Sequence, residues 1–427
     1  MRQRWLSALL SILCAAASLF TGLAPTLLDY GRFELLDWLL PGFVALAVLR
    51  LASRPGLKLA VLQWALVALP PMLVVGLAGT VLPWRHGLVV ALLLGGIALS
   101  LDPVTRWRSA RRWAVLPIGL FALAIVRYWA LPQAVGPAVP PVGRVAVMTA
   151  LPLFQQNEGA SDPLHGVGAR APIIRALDAT WKTVPIDLLD ANSLRPVDHL
   201  LLIQPRLLAP AELVALDDWV RSGGNATILA DPLLRWPGER SLGDPRRAPL
   251  TSLLDPLMRH WGLTLEPAQV GSVERRVLTG GAMIQLASAS RFAPAKAAPC
   301  LLTERGLIAY CSIGRGKAVL VADADWIDDR LWTLSPDQAR DQRAWTSDSV
   351  PLLGRLISGD RAPLHRGEAW MVSQEALISG LRWALGLIVL TALALARFGP
   401  NPMPSQGREG DFALAKKESG GPPHDSA

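Results

Sequence analysis

The sequence predicts a mixed α/β protein in two parts: a set of transmembrane helices, and an α/β domain built on a parallel sheet with an antiparallel β insertion. Three observations predict it. Six long apolar runs flank a more polar middle region. The first half of that region alternates all-apolar strands with amphipathic helices, the pattern of a parallel sheet. Its second half breaks into short strand-like runs between turns, the pattern of antiparallel pairs.

Residues 1–131 are read as five membrane spans. Of 427 residues, 51% are hydrophobic and only 18% charged, and the mean hydropathy is +0.33, a membrane composition rather than a soluble one. The runs cover residues 5–28, 35–52, 59–82, 88–101 and 113–130, with a sixth at 376–396. Most approach the roughly 20 residues that cross about 30 Å of hydrocarbon. The fourth is the shortest, and Trp84 and Trp107 are its candidate interfacial anchors.

Lys and Arg in the connections give the orientation. Arg2, Arg4, Arg50, Arg54, Lys58, Arg106, Arg108, Arg111 and Arg112 fall on one side, and only Arg32 and Arg85 on the other, nine against two. The richer side is cytoplasmic, so the region from 131 to 375 lies outside a bacterial inner membrane. The tail at 397–427, with Arg397, Arg408, Lys416 and Lys417, returns inside and is disordered by composition. The net charge of +8 therefore reads as membrane topology, not nucleic-acid binding. MRQR before an Ala-rich run also resembles a cleavable signal, and Cys14 a lipoprotein site. The run is long for a signal, and Ser11-Ile12-Leu13 lacks the small residue a lipobox needs, so an uncleaved first span is preferred.

PQAVGPAVPPVG, residues 132–143, is a Pro/Gly spacer that cannot continue a helix. The domain at 144–370 then opens with strand 144–150, loop 153–169 and helix 171–181. Strands 184–189 and 199–204 follow. Pro210 and Glu212 start a helix whose Leu213, Leu216 and Val220 face a sheet, Gly223 or Gly224 ends it, and strand 227–230 follows. After a helix at 251–261 come the short runs 263–265, 275–278, 282–288, 300–302 and 307–312. Residues 317–322 are again all-apolar, 323–329 form an acidic turn and 350–357 a last helix.

HLLLIQPRLLAPAELVALDDWVRSGGNATILADP, residues 199–232, with SIGRGKAVLV at 312–321, resembles the extracytoplasmic domain of GldG-like proteins, auxiliary components of ABC transport systems named from gliding motility. The resemblance covers 144–357. It implies a type I glutamine-amidotransferase-like α/β fold held outside the membrane by a C-terminal span, with ABC permease and ATPase subunits supplied by separate chains. The five N-terminal spans exceed the single span of the simplest members and have the look of a fused permease-like part. No Walker motif, GxxxxGK[ST], is present.

An amidotransferase needs a nucleophilic Cys on a strand-to-helix elbow, activated by a His. The chain instead reads Gln204-Pro205-Arg206-Leu207-Leu208-Ala209 there, so no catalytic residue and no cofactor is expected. Cys300 and Cys311 bracket a turn at Glu304-Arg305-Gly306, and either a cross-hairpin disulfide or two buried thiols fits them. Asp323, Asp325, Asp328 and Asp329 invite a cation, yet without a calcium-loop pattern a helix-capping role is preferred, and the same holds for Asp231. No two of His165, His199 and His260 share metal-ligand spacing, so no metal is assigned. Gly166-Val167-Gly168 lacks a third glycine, and Arg127 and Asp37 lie near span edges, where such side chains reach the interface.

The function expected is therefore binding. Loops 153–169, 205–210 and 323–335 would contact a permease, a substrate or an envelope polymer through His165, Gln204, Arg206, Asp231, Asp323 and Asp325. The alternatives are an envelope hydrolase using Asp323 or Asp325 with His165, and a purely structural anchor.

Overall fold

The computed structural model describes residues 2–28, 31–52, 57–80, 82–104, 115–130, 142–154, 170–238, 241, 244, 247–268, 271, 273–295, 298–360 and 369–398. It is a mixed α/β protein with long apolar helices and a sheet that is largely parallel. The first part runs α1 (Arg2–Leu28), β1 (Arg32–Phe33), α2 (Leu39–Ala52), α3 (Leu57–Ala78), α4 (Trp84–Val104) and α5 (Val115–Ala130). The domain follows with β2 (Arg144–Thr149), α6 (Pro172–Leu177), β3 (Lys182–Pro185), α7 (Ala191–Leu194), β4 (His199–Ile203), α8 (Pro210–Arg221) and β5 (Asn225–Leu229). Next are α9 (Asp255–His260), β6 (Leu263–Glu266), β7 (Val273–Val277), β8 (Met283–Ala287), β9 (Arg291–Pro294), β10 (Cys300–Thr303), β11 (Ile308–Ile313) and β12 (Gly316–Val321). The chain closes with α10 (Asp329–Trp332), α11 (Ser349–Ser358), β13 (Ala369–Trp370) and α12 (Gln374–Phe398).

Among the described residues, five helical stretches are long and apolar enough to cross a membrane: Ala8–Leu28, Leu35–Ala52, Leu57–Ala78, Trp84–Leu101 and Gln374–Arg397. The fourth is longer than the sequence suggests, because the helix begins at Trp84, directly after Pro83, and takes in Arg85, His86 and Gly87. The fifth predicted span is helical as α5, whose 16 residues reach about 24 Å; Trp107 and the side chain of Arg127 lie outside the described residues. Close helix approach is built on glycine. A Cβ on Gly22 of α1 would lie 2.3 Å from the Trp38 ring, and the Trp38 indole donates to the Leu19 carbonyl at 3.0 Å. Likewise Gly380 of α12 lies against the α3 backbone at Val74.

β1 pairs antiparallel with β13, Arg32 opposite Trp370 and Phe33 opposite Ala369. Thr80 N donates to Trp370 O, and Val372 N to Ala78 O, each at 2.8 Å. The α1–α2 and α3–α4 connections and the entry to α12 thus share one end of the helix bundle. The α/β domain docks on that same end: the Trp370 indole donates to Asp348 Oδ2 at 2.9 Å, and Arg32 Nη1 to Gln342 O at 2.8 Å. α4 leads away from this end. α5 is the described helix between α4 and β2.

The main sheet has the order β10-β11-β12-β5-β4-β2-β3. β12, β5, β4, β2 and β3 are parallel, and β11 and β10 extend the sheet antiparallel. Counting only the parallel strands along the chain, this is the doubly wound order 2-1-3-4-5. β4 is buried at Leu200, Leu201, Leu202 and Ile203, as an interior strand of such a sheet must be. β6–β9 and β7–β8 form the separate antiparallel pairs. β3 starts two residues before its predicted position, because Lys182 aligns with Arg144 of β2. Helix α7, capped by Asp190 through the amides of Asn192 and Ser193, has no counterpart in the sequence reading, since four residues are too few to show a period.

Candidate functional site

In a doubly wound sheet the carboxyl ends of the parallel strands carry the ligand-binding crevice. β4 ends there at Gln204, whose φ is +40°, a left-handed conformation that a non-glycine residue adopts only when its surroundings impose it. The imposing contacts are its own. Nε2 donates to the carbonyls of Asp231 and Pro249, and Oε1 accepts from the Asp231 amide, all at 2.9 Å. The side chain is fully buried. The turn therefore holds a non-glycine residue in a left-handed conformation, and that residue is a tied-down amide.

Two residues beyond β5 stands Asp231, and two and four beyond β12 stand Asp323 and Asp325. Because β5 and β12 are hydrogen-bonded neighbours, these loops meet. One carboxylate oxygen from each Asp lies within 4.8 Å of the other two, and all three residues are at most 2% exposed. Asp231 Oδ1 accepts from Leu233 N at 2.7 Å and Oδ2 from Ala324 N at 3.1 Å. Asp323 Oδ1 accepts from Trp326 N at 3.1 Å, and Asp325 Oδ2 from Arg235 N at 2.7 Å. Asp323 Oδ2 and Asp325 Oδ1 are buried with no hydrogen-bond partner.

Among the described residues no Lys or Arg side chain bonds to this trio. The Arg235 side chain turns to Gly271 O and Ser288 Oγ, and Arg330 forks onto Asp328. Burial, then the charges of Asp231 and Asp325, holds the Asp323 carboxyl well above the ordinary carboxylate value. Burial and then Asp231 push Asp325 up to about 7, and burial also raises Asp231. The expected capping role is present at Asp328, which caps α10, and in part at Asp323, but it leaves two oxygens of the trio unsatisfied.

The other candidate residues fare differently. Arg206 grips Glu212 with Nη2–Oε1 at 2.7 Å and Nη1–Oε2 at 2.9 Å. Glu212 also accepts from the Ala209 and Leu189 amides. Arg206 thus clamps the start of α8 while its side chain stays 44% exposed, whereas Gln204, Asp231, Asp323 and Asp325 are buried and organise the strand ends internally. His165, and with it the pairing proposed for hydrolysis, lies outside the described residues. His199 begins β4, at the opposite edge of the sheet, packed edge-on against Trp181 at 5.1 Å. Cys300 and Cys311 face each other across β10 and β11 and are bonded, S–S 1.98 Å.

Exposed leucines stand beside exposed arginines such as Arg206 and Arg330 in the segments after these strands. Leu188, Leu207 and Leu250 are 52%, 68% and 46% exposed, and they lie in the segments that follow β3, β4 and β5, while Leu334, 41% exposed, follows α10. The sequence reading missed the Asp trio as a unit, because it weighed Asp231 and Asp323 each against its own loop. The signal was there: both end all-apolar strands, and such strands are neighbours in a parallel sheet.

No family model matches this chain, and no curated protein matches it. Among solved structures, an exo-β-1,4-mannosidase from Opitutaceae bacterium strain TAV5 is similar at 13% identity and a TM-score of 0.27, over 54% of this chain and 38% of its own. A cytoplasmic protein from Salmonella typhimurium LT2 is similar at 10% and 0.30, over 44% of this chain and 91% of its own. A β-galactosidase from Bacillus circulans sp. alkalophilus is similar at 11% and 0.28, over 65% and 35%. The chain thus spans little more than a third of either glycosidase. Likenesses this weak carry no argument about fold or activity, and none of the three is by name a transporter component.

Proposed function

We propose that this protein is a non-catalytic auxiliary component of an ABC-type transport system in a bacterial inner membrane. Its α/β domain would be a silent amidotransferase-like module on the extracytoplasmic side, in line with the resemblance to GldG-like proteins. One observation carries the reading: the elbow after β4 has the positive φ of a nucleophile turn, yet holds Gln204, whose amide is bonded on both its nitrogen and its oxygen. An amide so fixed offers neither a nucleophile nor an open position for one. The doubly wound strand order supports the fold assignment, and the nine-to-two charge asymmetry supports the sidedness.

The partner is a permease or ATPase-bearing assembly of separate chains, met through the leucine-studded carboxyl edge of the sheet. Photo-crosslinking from position 207 in native membranes tests this, with phosphatase and green fluorescent protein fusions after Gly143 and Arg397 fixing the side. The expected result is phosphatase activity at 143, fluorescence at 397 and a crosslink to a transporter subunit. Fluorescence at 143, or adducts to lipid alone, overturns the proposal.

A further inference from the structure

We infer that Asp231, Asp323 and Asp325 form a binding site for a hard divalent cation of the calcium or magnesium class. Three carboxyl groups converge at the ends of β5 and β12, with one oxygen of each within 4.8 Å of the others. Donor atoms around Ca²⁺ lie 2.3–2.6 Å from the ion, so oxygens at this mutual separation fit one shell. The donor set is all oxygen, with no His or Cys, which selects against zinc and copper.

Acidic residues often cluster without binding anything, and two orphaned atoms set this cluster apart. Asp323 Oδ2 and Asp325 Oδ1 are buried and accept no hydrogen bond, in residues 1% and 2% exposed. A buried carboxylate oxygen without a donor is costly. The other oxygen of each group is already held by a backbone amide, from Trp326 and Arg235 respectively, so neither carboxylate can swing away without breaking that bond. Asp231 is pinned on both of its oxygens. The trio is thus preorganised, its unsatisfied oxygens are fixed, and no Lys or Arg side chain among the described residues bonds to it. A single cation coordinated by Asp323 Oδ2, Asp325 Oδ1 and an Asp231 oxygen satisfies both orphans and offsets the like charges together. This inference does not depend on the transport role.

The test uses the full-length protein in detergent, stripped with EDTA and then given Ca²⁺ or Mg²⁺ in separate arms. The expected result is a saturable rise in melting temperature of about 5 °C with at least one ion, and one bound ion per chain by calorimetric titration. Asp323→Asn and Asp231→Asn keep the shape and remove a charge, and each should abolish the rise. No rise and no titration heat with either ion overturns the site. So does a rise that survives both substitutions, which puts the ion elsewhere. If a variant fails to fold, the wild-type stoichiometry still decides: zero bound ions overturns the proposal.

Discussion

The buried indole of Trp370 donates to Asp348 Oδ2 at 2.9 Å, and the same oxygen accepts from the Met283 amide at 2.9 Å. Trp370 lies four residues before α12, whereas Asp348 directly precedes α11 in the α/β domain, so this pair fastens the domain to the helix bundle. Trp370→Phe keeps the packing and deletes the donor. It should lower the stability of the full-length protein by about 1.5–3 kcal/mol, the range for a hydrogen bond to a charged group. Thermal melting in detergent measures it; an unchanged melting temperature means that the pair does not couple the two parts.

At the β4 elbow, Gln204→Ala removes three hydrogen bonds and leaves the Asp231 amide and two carbonyls buried without them. A loss of about 3 kcal/mol is expected. Gln204→Gly relieves the left-handed backbone and should recover part of that loss. Equal stability of the two variants would show that the backbone there is unstrained.

Arg206 holds Glu212 down to about 2, below the ordinary glutamate range, with the Ala209 and Leu189 amides helping. A depressed carboxyl contributes stability that is fully present above its unfolded value, near 4.5, and is lost as pH falls toward 2. Because Arg206 is 44% exposed, screening reduces the effect to about 1–2 kcal/mol. Urea melts of Glu212→Gln against wild type between pH 6 and pH 2.5 should therefore converge as the pH drops. A constant gap would remove the ion pair from the account.

Gly22→Ala puts a methyl group inside the Trp38 ring. If α1 stays on the mature chain, the α1–α2 contact opens and stability falls by about 1–3 kcal/mol, the usual cost of overpacking. An amino-terminal epitope should be retained on the protein recovered from membranes. Loss of the epitope, with Gly22→Ala silent, would identify α1 as a cleaved signal.

Cys300 and Cys311 are bonded across β10 and β11. Reduction, or Cys300→Ser with Cys311→Ser, should cost about 2–3 kcal/mol for a loop of this size. Thiol alkylation of protein taken directly from cells provides the check. Blocked thiols fit an oxidising compartment, whereas rapid labelling of both would place the domain in a reducing one.

How much of this was legible depends on how local the signal is. The apolar strands read at 199–204 and 317–322, observed at His199–Ile203 and Gly316–Val321, and the amphipathic α8 could be read from the sequence pattern, because a parallel interior strand is buried on both faces and a surface helix on one. The turn at Gln204 could be located, and its lack of a nucleophile read directly. Its positive φ was invisible, since Gln has no preference for that conformation and only Asp231 and Pro249 impose it. The Asp trio was hidden for a related reason: Asp231 and Asp323 are 92 residues apart, and only the β5–β12 pairing joins them. The β1–β13 strand pair had no local signal at all.

That strand pair also dictates an order of assembly. Arg32 and Trp370 are partners across 338 positions of chain, and α12, which packs along α3, follows directly. During synthesis the first spans enter the membrane long before their last neighbour exists. The face of α3 that α12 covers stays open until the whole α/β domain has been made. The β1–β13 pair and the α3–α12 contact therefore form only after the final helix has been made. A chain stopped before residue 369 would be left as a folded domain beside an unfinished bundle, a ready target for membrane proteases.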